Sequence, residues 1–570
     1  VTALPGNGGG RAGGICAAGI RVAGIRVAEI FVAITLVAGC AGHRGPPPST
    51  DVEENGFRAV VRTLAADEFE GRKPGTPGAE KTVTYLVERF RKLGLKPGNG
   101  DSYLQEVPMV QLLVDDASLA VTGQGATRTL AYAKDMVIWT PRALPAATVS
   151  QSDLVFVGYG IVAPEYHWDD YAQTDVRGKT VLVLVNDPGY GSKDPKVFKG
   201  NAETFYGRWN YKLDEAARHG AAGVLLLHDP GAAGYGWNVV LNEHTGPQLE
   251  AATADDNAGR AAIEGWISGA AGRALFAQAG LDLKAVLSAA ARPGFKPIAM
   301  GLKVDAAVHG TIDRFSSPNV IGVLPGARHK RECVIYSAHW DHLGRQSALA
   351  GGAVLNGAVD DASGVAGLLM LAQSFVRTQP TVDRSIAFIA FTGGDSGLLG
   401  SQYYVEHPLF PLRETAGVLN LDALHIGGPT RDVMVIGYGN SELEDYFREA
   451  AQLQGRELHP DPNPQQGGYY QSDQLSFARS GVPALDAKAG IDDSARGPAW
   501  GQARIDEYLA NRYHQPGDQY SADWDVRGTL DDLRLYFEVG NRLARTRHFP
   551  RWYPGSEFRG GPPAPEGGPE

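Results

Sequence analysis

The sequence predicts an α/β fold: a mostly parallel mixed sheet sandwiched by helices, with a smaller β-rich α/β domain inserted beside it. Three observations predict this. Continuous apolar runs at 334–338, 386–391 and 418–421 read as strands buried on both faces, the habit of parallel sheets. A long apolar helix at 362–376 lies between the first two, as a parallel crossover requires. A separate set of β-branched runs between 135 and 300 carries few clustered acids and histidines.

Composition narrows the class. At 570 residues the chain exceeds one ordinary core, so two or more domains are expected. A net charge of −11 with no long basic stripe argues against a nucleic-acid partner. Three cysteines, Cys16, Cys40 and Cys333, cannot build a disulfide framework.

Residues 1–40 read as a targeting segment. Arg11, Arg21 and Arg26 precede an apolar run, 30–39, too short for an ordinary membrane span. The run closes in Val37-Ala38-Gly39-Cys40, which resembles a bacterial lipobox. That implies cleavage before Cys40, lipid on its thiol, and an exported protein of the bacterial cell envelope facing the periplasm or exterior. Membrane contact would be through that anchor alone. A plain signal peptide is the other reading. A linker at 41–54 follows.

The first part of the main domain is expected at 55–134. It holds a helix over 77–93, with Val83, Leu86, Val87 and Phe90 on one face, Pro77 at its start and Gly94 past its end. The preceding loop, 70–76, reads as a turn. Residues 135–300 are expected to form the insert, with strands at 154–157 and 180–185, a helix at 211–218 and a strand at 224–227. The main domain resumes over 301–555 and closes with a helix at about 530–545, capped by Thr529 with Asp532 three residues on. A disordered tail is expected over 556–570.

Acids and histidines gather at the strand ends. His339 and Asp341 are two apart, so an extended chain puts them on one face. Asp360 precedes the helix at 362–376, Asp395 and Asp422 follow strands, and Tyr513-His514 lies in a polar loop. Each residue alone is weak evidence. The ordered series His339-Trp340-Asp341, Asp360-Asp361-Ala362-Ser363-Gly364, Gly393-Gly394-Asp395-Ser396-Gly397-Leu398, Asn420-Leu421-Asp422 and Tyr513-His514 is specific.

On those motifs the chain resembles the di-zinc aminopeptidases, a family that includes bacterial leucyl aminopeptidases and, more distantly, glutamate carboxypeptidase. The resemblance covers about 55–130 and 310–550. It implies a zinc exopeptidase fold, two Zn2+ ions (other divalent metals being possible) and a peptide substrate. It places His339 and Asp422 on one ion, Asp395 and His514 on the other, and Asp360 across both. Asp341 would orient His339, and Tyr513 would polarise the scissile carbonyl. The insert resembles the protease-associated domain, on Val157-Gly158-Tyr159-Gly160-Ile161, the run from Asp175 to Leu184 and the run from His219 to Leu227. Such a domain governs substrate access or protein contacts.

The chain also departs from the family. Gly394 stands where the family has its general-base glutamate. Asp395 replaces the ligand glutamate and draws its carboxylate back by roughly 1.5 Å. Asp361 stands for the usual Asn, and Gln474 for the usual His. The expected function is an exported zinc aminopeptidase that hydrolyses N-terminal residues with a metal-activated water, its activity reduced or lost. The alternative is an impaired homologue that binds metal and peptide or protein. Glutaminyl-cyclase-like chemistry fits less well, because such sites use one zinc and this chain keeps both ligand sets.

Overall fold

The computed structural model describes residues 52–560 apart from 193 and 347–351. The targeting segment with Cys16 and Cys40, the linker up to 51 and the end of the tail lie outside the described residues.

Four strands form the parallel core of the main body. His329–His339 lies between Arg384–Phe391 and Thr415–Asn420, and the last of these pairs with Ala484–Ala489. All eight residues of Arg384–Phe391 are buried, which explains its unbroken apolar sequence. Period-two alternation sends Val334, Tyr336 and Ala338 to one face and Cys333 and Ile335 to the other. The first face is covered by helices Glu54–Leu64, Pro77–Leu93, Ala362–Thr378 and Arg527–Leu543. The second is covered by Leu399–Glu406 and Gln474–Arg479, through Tyr404 and Phe477. The mixed, mainly parallel sheet flanked by helices is the expected fold class.

Local chemistry sets the helix boundaries. Thr76 accepts from Ala79 N at the start of Pro77–Leu93, and Gly94 ends it with φ +78°. The closing helix begins three residues earlier than its sequence suggests. It runs Arg527–Leu543 with no side-chain cap. Thr529 sits in the first turn and its hydroxyl donates to the His425 carbonyl. Asp532 pairs with Arg456 at 2.8 Å, so both supposed capping groups serve tertiary contacts. Packed structure also runs past 556, where the disordered tail was expected to begin. Phe558 is buried against Tyr469 and Trp552, and Glu557 bonds Tyr470 and Lys199.

Residues between 135 and 300 build a second stretch of sheet. Ala146–Phe156, Thr180–Leu184, Gly223–Leu227 and Ile263–Ile267 are parallel neighbours, with Met136–Trp139 antiparallel at the end. One long strand, Ile298–Leu324, joins this sheet to that of the main body. Its first part pairs with Ala146–Phe156 and its last five residues with Arg384–Phe391. Leu104–Gly123 pairs with it from Val320 back to Lys303.

Candidate metal centre

The parallel strands His329–His339, Arg384–Phe391 and Thr415–Asn420 all end at the same edge of the sheet, where α/β proteins place their ligands. His339 closes the first. Gly394 and Asp395 follow the second, and Asp422 lies two residues past the third. Asp361 caps the helix Ala362–Thr378 by accepting from Gly364 N, which brings Asp360 beside His339.

Asp360 stands between two imidazoles. Its Oδ1 is 3.2 Å from His339 Nε2, and its Oδ2 is 3.2 Å from His514 Nε2. Asp422 Oδ1 lies 3.9 Å from His339 Nε2, and Asp395 Oδ1 lies 3.5 Å from His514 Nε2. The structure therefore brings all five expected metal residues into one cluster, with His339 and Asp360 each 4% exposed and His514 5%. Ligand atoms of His339, Asp360 and Asp395 lie within 4.8 Å of one another, as do those of His339, Asp361 and Asp422.

These residues fit a divalent-metal site. The donors are carboxylate oxygens and imidazole nitrogens, and one carboxylate offers an oxygen to each side. Asp360 Oδ1 is buried beside His339 Nε2 without a well-formed hydrogen bond, a geometry that a cation would relieve.

Electrostatics agree. Burial opposes charge on His339, yet Asp395, Asp341, Asp360 and Asp422 outweigh it and hold its pKa well above the ordinary value. His514 is raised in the same way, by Tyr513, Asp395 and Asp360 against burial. Burial also works against charge on Asp360, but His339 and His514 hold its pKa well below the usual range. Burial raises Asp361 instead. That carboxylate accepts from the backbone N–H groups of His339, Gly364 and Ala423, so it ties three segments of the site together.

The two expected catalytic side chains, Asp341 and Tyr513, both border the cluster. His339 Nδ1 lies 3.2 Å from the Asp341 backbone carbonyl and 3.8 Å from its carboxylate. Asp341 Oδ1 accepts instead from Gly394 N at 3.0 Å. Tyr513 stacks on His514 with ring centroids 3.9 Å apart, and its hydroxyl is directed to Gln471 Oε1 at 3.5 Å. At Gly394, a Cβ would fall 2.5 Å from His339 Cγ. Gln474 is fully buried and donates to the Tyr469 carbonyl while accepting from Asn420, a scaffold role.

Three residues that the sequence did not mark join the site. His342 Nδ1 is 2.6 Å from Asp395 Oδ2, and its Nε2 is buried without a partner. Its position in His339-Trp340-Asp341-His342 was a usable signal. Arg72 is fully buried and donates to the carbonyls of Leu64, Trp340, Asn356 and Gly357, pinning the loops on either side of His339 and Asp360. Glu243 reaches in from the segment expected to be non-catalytic and lies 2.6 Å from His514 Nδ1, 271 residues away in sequence. Nothing local in the sequence announces it.

Two cavities flank the cluster. One of about 210 Å3 is walled by Val359, Ala423, Leu424, Met434, Tyr508 and Leu509, the first two being the chain neighbours of Asp360 and Asp422. The other, of about 300 Å3, lies beside Asp395 and is walled by Lys73, Trp139, Glu243, His244, Arg260 and Leu399. Burial lowers the Lys73 amine to about 8, against the pull of Asp341 and Asp395.

Residues 319–537 match the model of Peptidase family M28. The aminopeptidase from Aneurinibacillus sp. strain AM-1 shares the fold. It is 21% identical over 87% of this chain and 95% of that one, with a TM-score of 0.51. Aminopeptidase NAALADL1 of Mus musculus is 32% identical over 138 residues, 23% of this chain and 17% of the mouse protein. The vacuolar membrane protease of Eremothecium gossypii is 30% identical over 118 residues, 21% of this chain and 10% of that protein. The chain thus matches less than a fifth of the length of either curated relative.

Proposed function

We propose that this protein is a zinc-dependent aminopeptidase that removes N-terminal residues from peptides, working without the family's usual general base. The observation that carries it is Asp360 set between His339 and His514, each flanked by a further carboxylate. His339, Asp360 and Asp422 would hold one zinc ion, and Asp360, Asp395 and His514 the other. Bound zinc supplies Lewis acidity at a carbonyl and lowers the pKa of water.

The chain's own residues supply the rest. The largely apolar cavity walled by Val359, Ala423 and Met434, of which the first two adjoin Asp360 and Asp422 in the chain, suits the side chain of the first substrate residue. Tyr508, also lining it, carries a buried hydroxyl without a hydrogen-bond partner, which suits a substrate with a polar tip. No carboxylate stands at 394, and Asp395 Oδ2 is engaged by His342. Turnover would accordingly be lower by about a hundredfold to ten-thousandfold than with a general base in place. The N-terminal segment ending at Cys40 supports export and lipid anchoring, and residues 135–300 support a protease-associated-like module. Among the described residues, no helix is long and apolar enough to cross a membrane.

The test is hydrolysis of aminoacyl-nitroanilides by the purified protein with added zinc, against Asp360→Asn. Zinc-dependent turnover that vanishes in the variant and on acetylating the substrate's amine supports the aminopeptidase. A second reading, a peptide-binding homologue without turnover, is favoured by one observation: the space for a side chain at 394 is filled by His339. Zinc binding and peptide binding without hydrolysis would establish that reading instead.

A further inference from the structure

The two histidines of the cluster are held from different parts of the chain. His339 Nδ1 meets the carbonyl of Asp341, two residues on, within the catalytic body. His514 is gripped by the helix Trp237–His244, from the segment between 135 and 300. Glu243 Oε1 lies 2.6 Å from His514 Nδ1, and Asn242 Nδ2 donates to the His514 carbonyl at 2.8 Å. Two consecutive residues of one helix thus hold both the ring and the backbone of a single residue.

That backbone needs holding. His514 has φ +52°, in the left-handed region that side-chain-bearing residues enter at a cost. The helix is itself fixed. Val239, Val240, Asn242 and His244 are buried, and His244 stacks on Trp139 at 4.6 Å and bonds Gln248. A ring whose far nitrogen is bonded to a carboxylate presents its other nitrogen in one orientation and as a stronger donor. Here that other nitrogen faces Asp360 and Asp395.

We propose that Glu243, seconded by Asn242, is a positioning residue for the His514 half of the metal centre, so that one ion site belongs to the body alone and the other is completed by the inserted segment. This rests on the zinc reading above. Substituting Glu243 then weakens one ion and spares the other.

The experiment is zinc titration of the metal-free full chain against a chelator, which yields two dissociation constants, with the Co2+ absorption spectrum as a second readout. The wild type binds two ions. Glu243→Ala binds the first with unchanged affinity and the second about 10- to 100-fold more weakly. Glu243→Gln, which keeps one acceptor and the shape, falls between, and it carries the test if the alanine variant does not fold. Asn242→Ala weakens the same ion. Two wild-type constants in both Glu243 variants, or equal loss of both ions, would overturn the proposal while leaving the zinc reading intact. No zinc on the wild type would bring down the zinc reading itself and the proposal with it.

Discussion

His339 fills the place that a side chain at Gly394 would need: a Cβ there would lie 2.5 Å from His339 Cγ and 2.7 Å from its Cβ. A side chain at 394 would therefore need the surroundings to move, because His339 packs over that position. Gly394→Ala and Gly394→Glu are expected to push His339 aside and weaken zinc binding by about tenfold or more. Glutamate at 394 should not raise nitroanilide turnover. A Glu variant with both ions and faster turnover would show that the ring can yield.

Arg72 satisfies four buried carbonyls with one guanidinium. Arg72→Met fills similar volume but leaves those oxygens without donors. A loss of at least about 3 kcal/mol in urea unfolding is expected, since each buried unsatisfied polar group costs about 1–3 kcal/mol. Arg72→Lys should recover little, because an ammonium cannot span the fork. An unchanged unfolding midpoint in the Met variant would contradict this.

His425 lines the apolar cavity, and its Nε2 is buried without a partner. Burial, then Arg504, push its pKa down to about 4, against the pull of Asp493. The unfolded chain takes up this proton near pH 6.5, whereas the folded one holds off to about 4. Stability is therefore complete above about pH 6.5 and is lost as pH falls towards 4, by at most about 3 kcal/mol. His425→Gln should remove that slope, so the variant gains on the wild type between pH 7 and 4.5 in urea titrations. Parallel pH profiles would refute it.

Zinc should stabilise the fold and compete with protons. His339 and His514 hold protons to unusually high pH in the metal-free protein. Zinc must displace them, so its affinity should fall as pH falls, with proton release visible in calorimetry across buffers. Zinc at a hundredfold excess over its dissociation constant should add about 2.7 kcal/mol to stability. Asp360→Asn, which faces both imidazoles, should abolish the gain, and a chelator should reverse it in the wild type.

Much of this architecture was legible in the sequence. Unbroken apolar runs ending in His339, Asp395 and Asp422 marked buried parallel strands with chemistry at one edge, because burial on both faces leaves no polar alternation. What the sequence hid depends on long-range contact. The loop with Arg72 reads as a turn, since nothing local shows that its guanidinium turns inward to other loops. Glu243 looks like one acid on a short amphipathic helix until folding carries it to His514. Thr529 and Asp532 have the spacing of a cap, but His425 and Arg456 claim their side chains. At Gly394 the sequence showed a residue without a side chain and could not show that His339 packs against it.

The strand Ile298–Leu324 also limits what can be engineered. Its residues from Lys303 to His309 are paired on one side by Leu104–Gly123 and on the other by Ala146–Phe156. Excising 135–300 as a cassette would strip away the second partner and leave a bare, twisted ribbon edge, a template for aggregation. A graft from another protein would need to restore that pairing register before anything else about it mattered.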